Sequence, residues 1–543
     1  MFGIRRSTYG TAAAVALAGL SVFGAAPVHG QTPDAAPAAE RRLTITDAVA
    51  LALEQNVDLE VVRLNPQVQD LTIAQTRAAW SPSVNSSFQG LNQNSPPSSF
   101  LSLGQAKTTD TNQRYGIGLG GLTRWGASYS ANWNNSRFTT NGFTFFTPQL
   151  NSTFQASYTQ PLLRNFKIDN ARQQLQVSTK NREISDMQVA QSVASTTRQV
   201  KNAYWDLVFA RDSLEVQRQS LDLAQRSLRE NRARVEIGTM APIDIVQAEA
   251  EVAQREEAVI VAEAAIERAE DRLRSLIYNQ HDAAQWATRL VPTDGATFQP
   301  VLADMDQAVR TALDQRTDIR SSVKSIEAND VSIRFFRNQR LPDVSATLDY
   351  SATGLAGTQL IRDGFGPVTG QSARPWSEAL KDVVKSDFPT WTLTVQMRYD
   401  LGFNNADASL ARARIQQSQA QKQLESSRIR VATEVRDAAR TVTSNAKRVE
   451  ATRASRALAE RRLEAEEKKF QAGMTTNFFV LQAQRDLNQA RNNELQALID
   501  HVKSVVDFET VQVAPLNGGT GVTGVSTAGF SGNTSTGTQQ QRQ

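Results

Sequence analysis

Apolar side chains recur every seven residues over long parts of the chain. Two such runs are Leu214, Leu221, Leu228 and Val235, and then Ile245, Val252, Val259, Ile266 and Leu273. This spacing keeps one seam of a helix against a partner helix, as in a coiled coil. Val449, Leu463 and Phe470 keep the same frame more weakly, since Arg456 interrupts it. The pattern predicts long helices that pack in pairs.

Glycine and proline interrupt the helical pattern at few points. Each half of the chain predicts a helix of about 35 residues ended by Ser-Pro or Leu-Pro, because the residue before a proline avoids the helical region. A β-rich region follows, then a helix of about 70 residues, a glycine turn and a helix of about 40. At about 1.5 Å per residue the long helix would span about 105 Å, and the two shorter helices could stack end to end beside it.

Between the helices, apolar residues alternate with small or polar ones. The apolar positions are Tyr115, Ile117, Leu119, Trp125, Ala127, Tyr129, Ala131 and Trp133, and later Val344, Ala346, Leu348, Tyr350, Trp391, Leu393, Val395, Met397, Tyr399 and Leu401. Period-two alternation with aromatic residues on the apolar face is typical of membrane β-barrel strands. A soluble antiparallel sheet is the alternative that the pattern leaves open.

The whole order of elements occurs twice. Residues 46–62 match residues 305–322, and the stretch around Gly238 matches the stretch around Gly473. We therefore predict two tandem copies, residues 43–300 and 301–513, joined by a connector that contains two prolines and a glycine.

Both ends of the chain differ from this body. Arg5 and Arg6 precede an apolar run, so residues 1–30 are predicted to be a signal peptide and residues 31–42 a disordered lead. Residues 514–543 are rich in Gly, Ser, Thr and Gln and are predicted to be a disordered tail. No later run reaches the ~18 apolar residues of a membrane helix, so we expect any membrane contact to be made by β-structure.

Composition narrows the functional classes. The 543 residues include 59 basic and 55 acidic side chains that are finely mixed, which gives no nucleic-acid groove. Cysteine is absent, so thiolate chemistry and a lipid anchor on cysteine are excluded. The three histidines lack metal-ligand spacing, and the GxGxxG match at residues 116–121 precedes alternation rather than a helix. We expect no enzyme activity, no catalytic residue, no cofactor and no metal.

Two copies offer about four long strands, which is too few for a closed barrel. An open edge in lipid leaves backbone groups unpaired, and known barrels start at about eight strands. Several chains must therefore share one barrel. Segments 114–121 and 124–133 resemble two further strands, which we place in an extended hairpin at the extracellular side.

The ordered set of motifs resembles the TolC family of outer membrane factors over residues 43–512. The most specific marks are VEIGTMAPIDIVQAE, FQAGMTTNFFVLQAQ and TQPLLRNF. The resemblance implies an α+β membrane protein with two tandem αβα repeats, and a homotrimer in which four strands per chain close a twelve-stranded barrel in outer-membrane lipid. It also implies a periplasmic α-helical barrel, whose tip docks on a periplasmic adaptor and an inner-membrane pump of a Gram-negative cell. The function implied is a passive export duct of a tripartite efflux or type I secretion system.

The resemblance assigns the two glycine turns to adaptor docking. The residues are Gly238, Thr239, Pro242, Gly473, Thr475 and Thr476. Both glycines suit a left-handed helix C-cap, Thr476 suits an N-cap, and Pro242 suits a first helical turn.

The resemblance also assigns a periplasmic constriction to Asp244, Phe470, Phe479 and Gln482. Asp244 suits a first helical turn, where the helix dipole favours a carboxylate. Its network partners are missing: Phe470 lacks a hydroxyl, Thr475 stands at a basic position, and Phe479 and Gln482 stand at acidic ones. We therefore expect a tip closed by packing of Phe470 and Phe479.

Two alternatives remain at this point. A periplasmic adaptor also uses long helical hairpins, but it usually has one hairpin and a membrane anchor. A structural coiled-coil protein of the cell envelope would carry heptads throughout and no aromatic-lined strands.

Overall fold

The computed structural model describes residues 40–96, 106–279, 286–300, 304–364, 366–402 and 404–516. In chain order the elements are β1 (Glu40–Leu43), α1 (Ile45–Gln55), α2 (Val57–Ala78), β2 (Ser83–Ser95), β3 (Thr108–Leu122), β4 (Ser128–Thr140), β5 (Phe146–Pro161), α3 (Asn170–Glu236), α4 (Ile243–Ile277), β6 (Arg289–Pro292), α5 (Met305–Gln315), α6 (Thr317–Gln339), β7 (Asp343–Arg362), β8 (Val368–Arg374), α7 (Trp376–Lys385), β9 (Pro389–Arg398), α8 (Asn405–Gln471) and α9 (Asn477–Val511). The expected signal peptide, with its cleavage point after Gly30, lies outside the described residues.

The long helices have the predicted order and lengths in both halves. Helices α3 and α8 have 67 residues each, and α4 and α9 have 35 each. Each long helix packs along the 35-residue helix that follows it, and α9 also packs on α3. The two helical hairpins therefore lie side by side. Arg456, which interrupts the heptads, is an ion-pair residue: its guanidinium binds Glu494 of α9 at 3.0 Å.

The first helix of each half is broken, whereas the sequence predicted one helix of about 35 residues. The first break is at Asn56, which is extended (φ −69°, ψ 116°); its side chain accepts from the Leu59 amide and donates to the Leu276 carbonyl. The second is at Arg316, which is fully buried and binds Asp318 and Glu434. The Asn56 side chain thus caps an amide that the break leaves free. Arg316 makes no such cap bond and instead connects the break to α8 through Glu434.

A hydrophobic core around Tyr204 joins β1 and the connector to the helices. The buried Tyr204 hydroxyl donates to the Leu43 carbonyl at 3.0 Å and accepts from the amides of Thr293 and Asp294. Burial raises the pKa of the Tyr204 phenol. Strands β1 and β6 pair in parallel beside it.

This packing corrects two boundaries of the predicted disordered ends. Residues 40–42 of the expected lead belong to β1 and pair with residues 289–291. At the other end Ala514 is fully buried, and Arg198 donates to the Leu516 carbonyl at 2.6 Å. The rest of the expected tail, residues 517–543, lies outside the described residues. Residues 40–42 form a strand because β6 pairs with their backbone, whereas Leu516 is held by the Arg198 side chain and by packing near Val511.

The large sheet has more strands than the four that the sequence predicted. Its order is β2-β3-β4-β5-β7-β8, and β9 also pairs with β7. Strand β9 lies along residues 343–352 of β7, and β8 along residues 357–362. Strands β8 and β9 both run antiparallel to β7, and the short helix α7 lies between them in the chain. The two strands together therefore fill one strand position beside β7. Among the described residues the sheet therefore has six strand positions.

The β3–β4 hairpin also lies elsewhere than predicted. Segments 114–121 and 124–133 were expected in an extended extracellular hairpin. They pair instead between β2 and β5, in the middle of the sheet. The turn of residues 123–127 lies at the helix end, because Gly120 pairs with Ser83, just after α2, and Ser128 pairs with Thr159, just before α3. The hairpin belongs in the sheet because its edges give β2 and β5 antiparallel partners.

In the part of the chain that the structure describes, no helix is both long and apolar enough to cross a membrane.

Candidate functional site

The first turn of interest joins α3 to α4. Helix α3 ends at Glu236, and Gly238 takes the left-handed conformation with φ 75°. The Thr239 amide donates to the Arg234 carbonyl and the Gly238 amide to the Val235 carbonyl, both at 2.9 Å. These two bonds form a Schellman motif, which satisfies the last carbonyls of the helix.

The second turn, between α8 and α9, repeats this geometry. Gly473 has φ 72°, the Met474 amide donates to the Lys469 carbonyl at 2.9 Å, and the Gly473 amide donates to the Phe470 carbonyl at 3.1 Å. Both turns present an exposed apolar residue: Ile237 is 73% exposed and Met474 79%. The left-handed cap predicted at both glycines is confirmed.

The residues that follow each glycine begin the next helix. Pro242 precedes α4 at the N-cap, one position before the first turn where it was predicted. Thr476 occupies the predicted N-cap of α9, but its side chain makes no capping bond. The Phe479 amide, a usual partner of such a cap, donates instead to the Thr476 carbonyl at 3.2 Å. The Thr239 hydroxyl donates to the Arg234 carbonyl, and Thr475 is half-buried.

The predicted constriction residues lie in different environments. Asp244 is in the first turn of α4, as predicted, and makes no ion pair with the described residues. Phe470 is half-buried and packs on the cluster of Leu463, Val480, Ala483 and Leu487. The Arg234 guanidinium lies 4.7 Å from the centre of its ring. Phe470 therefore joins α3, α8 and α9 within one chain.

Phe479 lies in a different environment from Phe470. It is half exposed, and its ring packs edge-to-face on Phe478 with centroids 5.6 Å apart. Gln482 donates to the Asp486 carboxylate at 2.8 Å, and Arg462 of α8 binds the same carboxylate at 2.7 Å. Phe479 is thus free to contact a neighbouring molecule, whereas Gln482 belongs to a polar contact between α8 and α9.

A buried charge cluster near the turns was not predicted from the sequence. Glu251 of α4 is only 2% exposed. Its carboxylate binds Arg255 on the same helix at 2.6 Å and Arg485 of α9 at 2.6 Å. We call these three residues the Glu251 clamp, since they connect the first helical hairpin to the second. The Glu251–Arg255 spacing of four residues was a readable signal, but the partner on α9 depends on the register between hairpins.

A second acidic group lies close to the turns. Burial raises the pKa of the Glu467 carboxyl, and the nearby carboxylates of Glu230 and Glu464 raise it further. Glu230 belongs to α3 and Glu467 to α8, so this repulsion acts between the two hairpins. Near the two turns the hairpins are thus joined by the Glu251–Arg485 and Arg234–Phe470 contacts and opposed by the repulsion between Glu230 and Glu467.

A family model described as "Outer membrane efflux protein" matches residues 124–277 and 308–508, which is more than half of the chain. These ranges include most of the sheet, both 67-residue helices and both turns. No curated protein matches the chain.

Solved structures with the same fold include outer membrane channels. CmeC of Campylobacter jejuni is 15% identical with TM-score 0.61, covering 86% of this chain and 85% of its own. The open-state MtrE channel of Neisseria gonorrhoeae is 17% identical with TM-score 0.58, covering 87% and 89%. The outer membrane protein VceC of Vibrio cholerae is 13% identical with TM-score 0.59, covering 87% and 96%. At these identities the likeness concerns the fold.

Proposed function

The chain belongs to the outer membrane efflux protein family, and on that premise we propose that it is the passive outer-membrane duct of a tripartite efflux or type I secretion system. One observation carries the proposal. A sheet with one apolar and one polar face continues directly into two helical hairpins about 100 Å long, at about 1.5 Å per residue. Such a chain can line a water-filled path through lipid and then across the space below.

We propose that the duct is built from several copies, and the family resemblance implies that the number is three. One copy of the sheet has two unpaired edges, which lipid does not tolerate. Three copies joined edge to edge would close a barrel in the outer membrane, with lipid against the apolar face. Their helices would continue as an α-helical barrel in the periplasm. Residues 43–300 and 301–513 would be the two repeats of each copy, with the corrected ends included.

The two turns are the proposed docking points for a periplasmic adaptor and, through it, an inner-membrane pump. Three copies would present six turns of nearly equal shape. Each turn offers an exposed apolar residue, Ile237 or Met474, beside a glycine that leaves the backbone open to a partner. We propose that Phe479 contributes to the constriction through contacts between copies, while Phe470 holds the hairpins of one copy together.

The alternatives account for less of the chain. The exposed residues of the sheet include Phe88, Ile117 and Trp391. Neither a periplasmic adaptor nor a structural coiled-coil protein accounts for an exposed apolar surface of this kind. Membership of the efflux family also disfavours both. The proposed role involves no chemical step.

The proposal is tested by expressing the full chain with its own signal and fractionating the envelope. We expect the protein in the outer-membrane fraction, extracted by detergent as a species of three copies that conducts ions in a planar bilayer. A lone molecule that stays soluble without detergent would overturn the proposal.

A further inference from the structure

We propose that all six strand positions of each copy cross the membrane, so that the trimer closes an eighteen-stranded barrel rather than the twelve-stranded barrel that the family resemblance implied. The proposal rests on the trimer of the proposed function. The added strands are the β3–β4 hairpin, residues 108–140. The partner at each sheet edge is a second copy of this chain, with β9 of one copy against β2 of the next.

The first argument is an apolar band that spans the whole sheet. The strand register places one face of the sheet on even residues of β2, β5 and β7 and on odd residues of β3, β4 and β9. The band on that face is formed by Val84, Phe88, Tyr115, Ile117, Leu119, Tyr129, Ala131, Trp133, Phe154, Ala156, Tyr158, Val344, Ala346, Leu348, Tyr350, Trp391, Leu393, Val395 and Met397. A hairpin outside the membrane would have no reason to continue this band.

The opposite face is polar at the same heights. Its residues include Asn85, Ser87, Gly116, Gly118, Ser130, Asn132, Thr153, Gln155, Ser157, Thr347, Asp349, Thr392, Thr394 and Gln396. Alternation of this kind is the signature of strands with lipid on one side and water on the other. Strands β3 and β4 carry it as clearly as the four strands that adjoin the helices.

The second argument is strand direction. Strands β2, β4 and β7 run away from the helices, while β3, β5 and the β8–β9 segment return. With an even number of positions, the first and last strands of the sheet are antiparallel. Edge β9 of one copy can therefore pair with edge β2 of the next without a parallel junction.

The third argument is the exposure of the two edges. Strand β2 pairs only with β3, and β9 only with β7, among the described residues. Side chains on both edges are exposed in this single copy, for example Phe88 at 77% and Trp391 at 72%. Strand β9 carries the apolar band along its length, with Trp391, Leu393, Val395 and Met397, whereas β2 carries it at Val84 and Phe88. A neighbour that joins these edges would make the band continuous around the ring.

The ring also fits the helices below it. Eighteen strands about 4.8 Å apart and tilted by about 40° give a circumference of about 110 Å, against about 75 Å for twelve. Each copy supplies four helices side by side, counting α2 stacked on α4 and α6 on α9. Twelve helices about 9–10 Å apart give a circumference of about 110–120 Å. The barrel and the helical tube would then match without a narrowing.

The test uses disulfides, since the chain contains no cysteine of its own. We pair Asn85→Cys or Ser87→Cys on β2 with Thr392→Cys, Thr394→Cys or Gln396→Cys on β9, because the register across the seam is to be found by scanning. A control pair, Ser130→Cys with Ser157→Cys, joins directly opposite residues of β4 and β5. A rival pair, Asn85→Cys with Gln155→Cys or Ser157→Cys, joins β2 to β5, which would be neighbours only if the hairpin lay outside the sheet.

All variants are oxidised in the outer membrane, and free thiols are counted with a maleimide label. We expect one or two β2–β9 pairs to convert most of the protein to covalent trimer, the control pair to lose its thiols within a monomer band, and the rival pairs to keep theirs. Disulfides within one chain between β2 and β5, or no β2–β9 link in a trimer whose control pair does form, would overturn the eighteen-stranded barrel and leave the trimeric duct standing. A monomer in detergent by mass would overturn the duct itself.

Discussion

The Glu251 clamp should hold the two helical hairpins together near the turns at Gly238 and Gly473. Its carboxylate is almost fully buried and binds two guanidinium groups at 2.6 Å. Of the two arginine side chains, Arg255 is 11% exposed and Arg485 is 46% exposed. The cost of breaking the clamp should therefore depend strongly on which member is removed.

Removing one partner of a buried ion pair costs about 3–5 kcal/mol, because it leaves the other charge without compensation. Glu251→Gln leaves Arg255 buried and unpaired, so we expect about 3 kcal/mol. Arg485→Gln leaves Glu251 bound to Arg255, and the lost partner was half solvated, so we expect about 1 kcal/mol. These values correspond to about a hundredfold and about fivefold changes in local opening.

Hydrogen exchange of the detergent-extracted protein measures this opening segment by segment. Amides of residues 243–255 and 477–490 should lose about a hundredfold of protection in Glu251→Gln and about fivefold in Arg485→Gln, with the sheet unchanged. Glu425→Gln removes an exposed pair with Lys422 and serves as the control. Equal, small losses in both clamp variants would refute the account of the clamp.

Three further substitutions test the region of the two turns and the helix break at Asn56. Because the folded pKa of Glu467 is raised, its ionised carboxylate destabilises the fold above that pKa, and this destabilisation disappears as the pH falls through it. Glu467→Gln should therefore raise hydrogen-exchange protection around residue 467 at pH 7 and remove the pH dependence of that protection. Protection that the substitution leaves unchanged would contradict this. Gly473→Ala should lower the free energy of unfolding by about 1–2 kcal/mol through its left-handed backbone alone, since a Cβ there meets no atom within 4 Å. Gly473→Asn should lower it less, as measured by thermal unfolding, and equal losses in the two variants would argue against the left-handed cap. Asn56→Ala should cost about 1–2 kcal/mol by the same measurement, through loss of the cap and of the bond to Leu276. Thr72→Ala, at a half-buried position on the same helix whose hydroxyl bonds only the helix's own Val68 carbonyl, is the control, and a cost no larger than the control's would contradict the role of the break.

The helices and turns were predictable because their signals are local. Heptads in residues 214–273 need only a partner seam, and Gly238 and Gly473 mark conformations that few other residues adopt. The family resemblance rests on the same local stretches, and the family match agrees with it.

The features that were missed depend on distant partners. Asn56 breaks a helix because Leu276 offers it a carbonyl, and Arg316 because Glu434 lies beside it. Glu251 finds Arg485 only once the two hairpins are aligned. None of these partners can be read from the spacing of residues along one segment.

The strand count failed for a different reason. Residues 83–95 are mostly polar, so only Val84, Phe88 and Leu91 indicate a strand there. The hairpin of residues 108–140 had clear alternation, but its place in the sheet follows from pairing on both sides. Period two identifies a strand and its faces, whereas neighbours are set by register.

Native mass spectrometry of the protein extracted from the outer membrane tests the central claim most directly. If separate copies share one closed duct, the spectrum should show a single species with three times the mass of the mature chain. A spectrum dominated by one copy, recovered equally well without detergent, would contradict the claim.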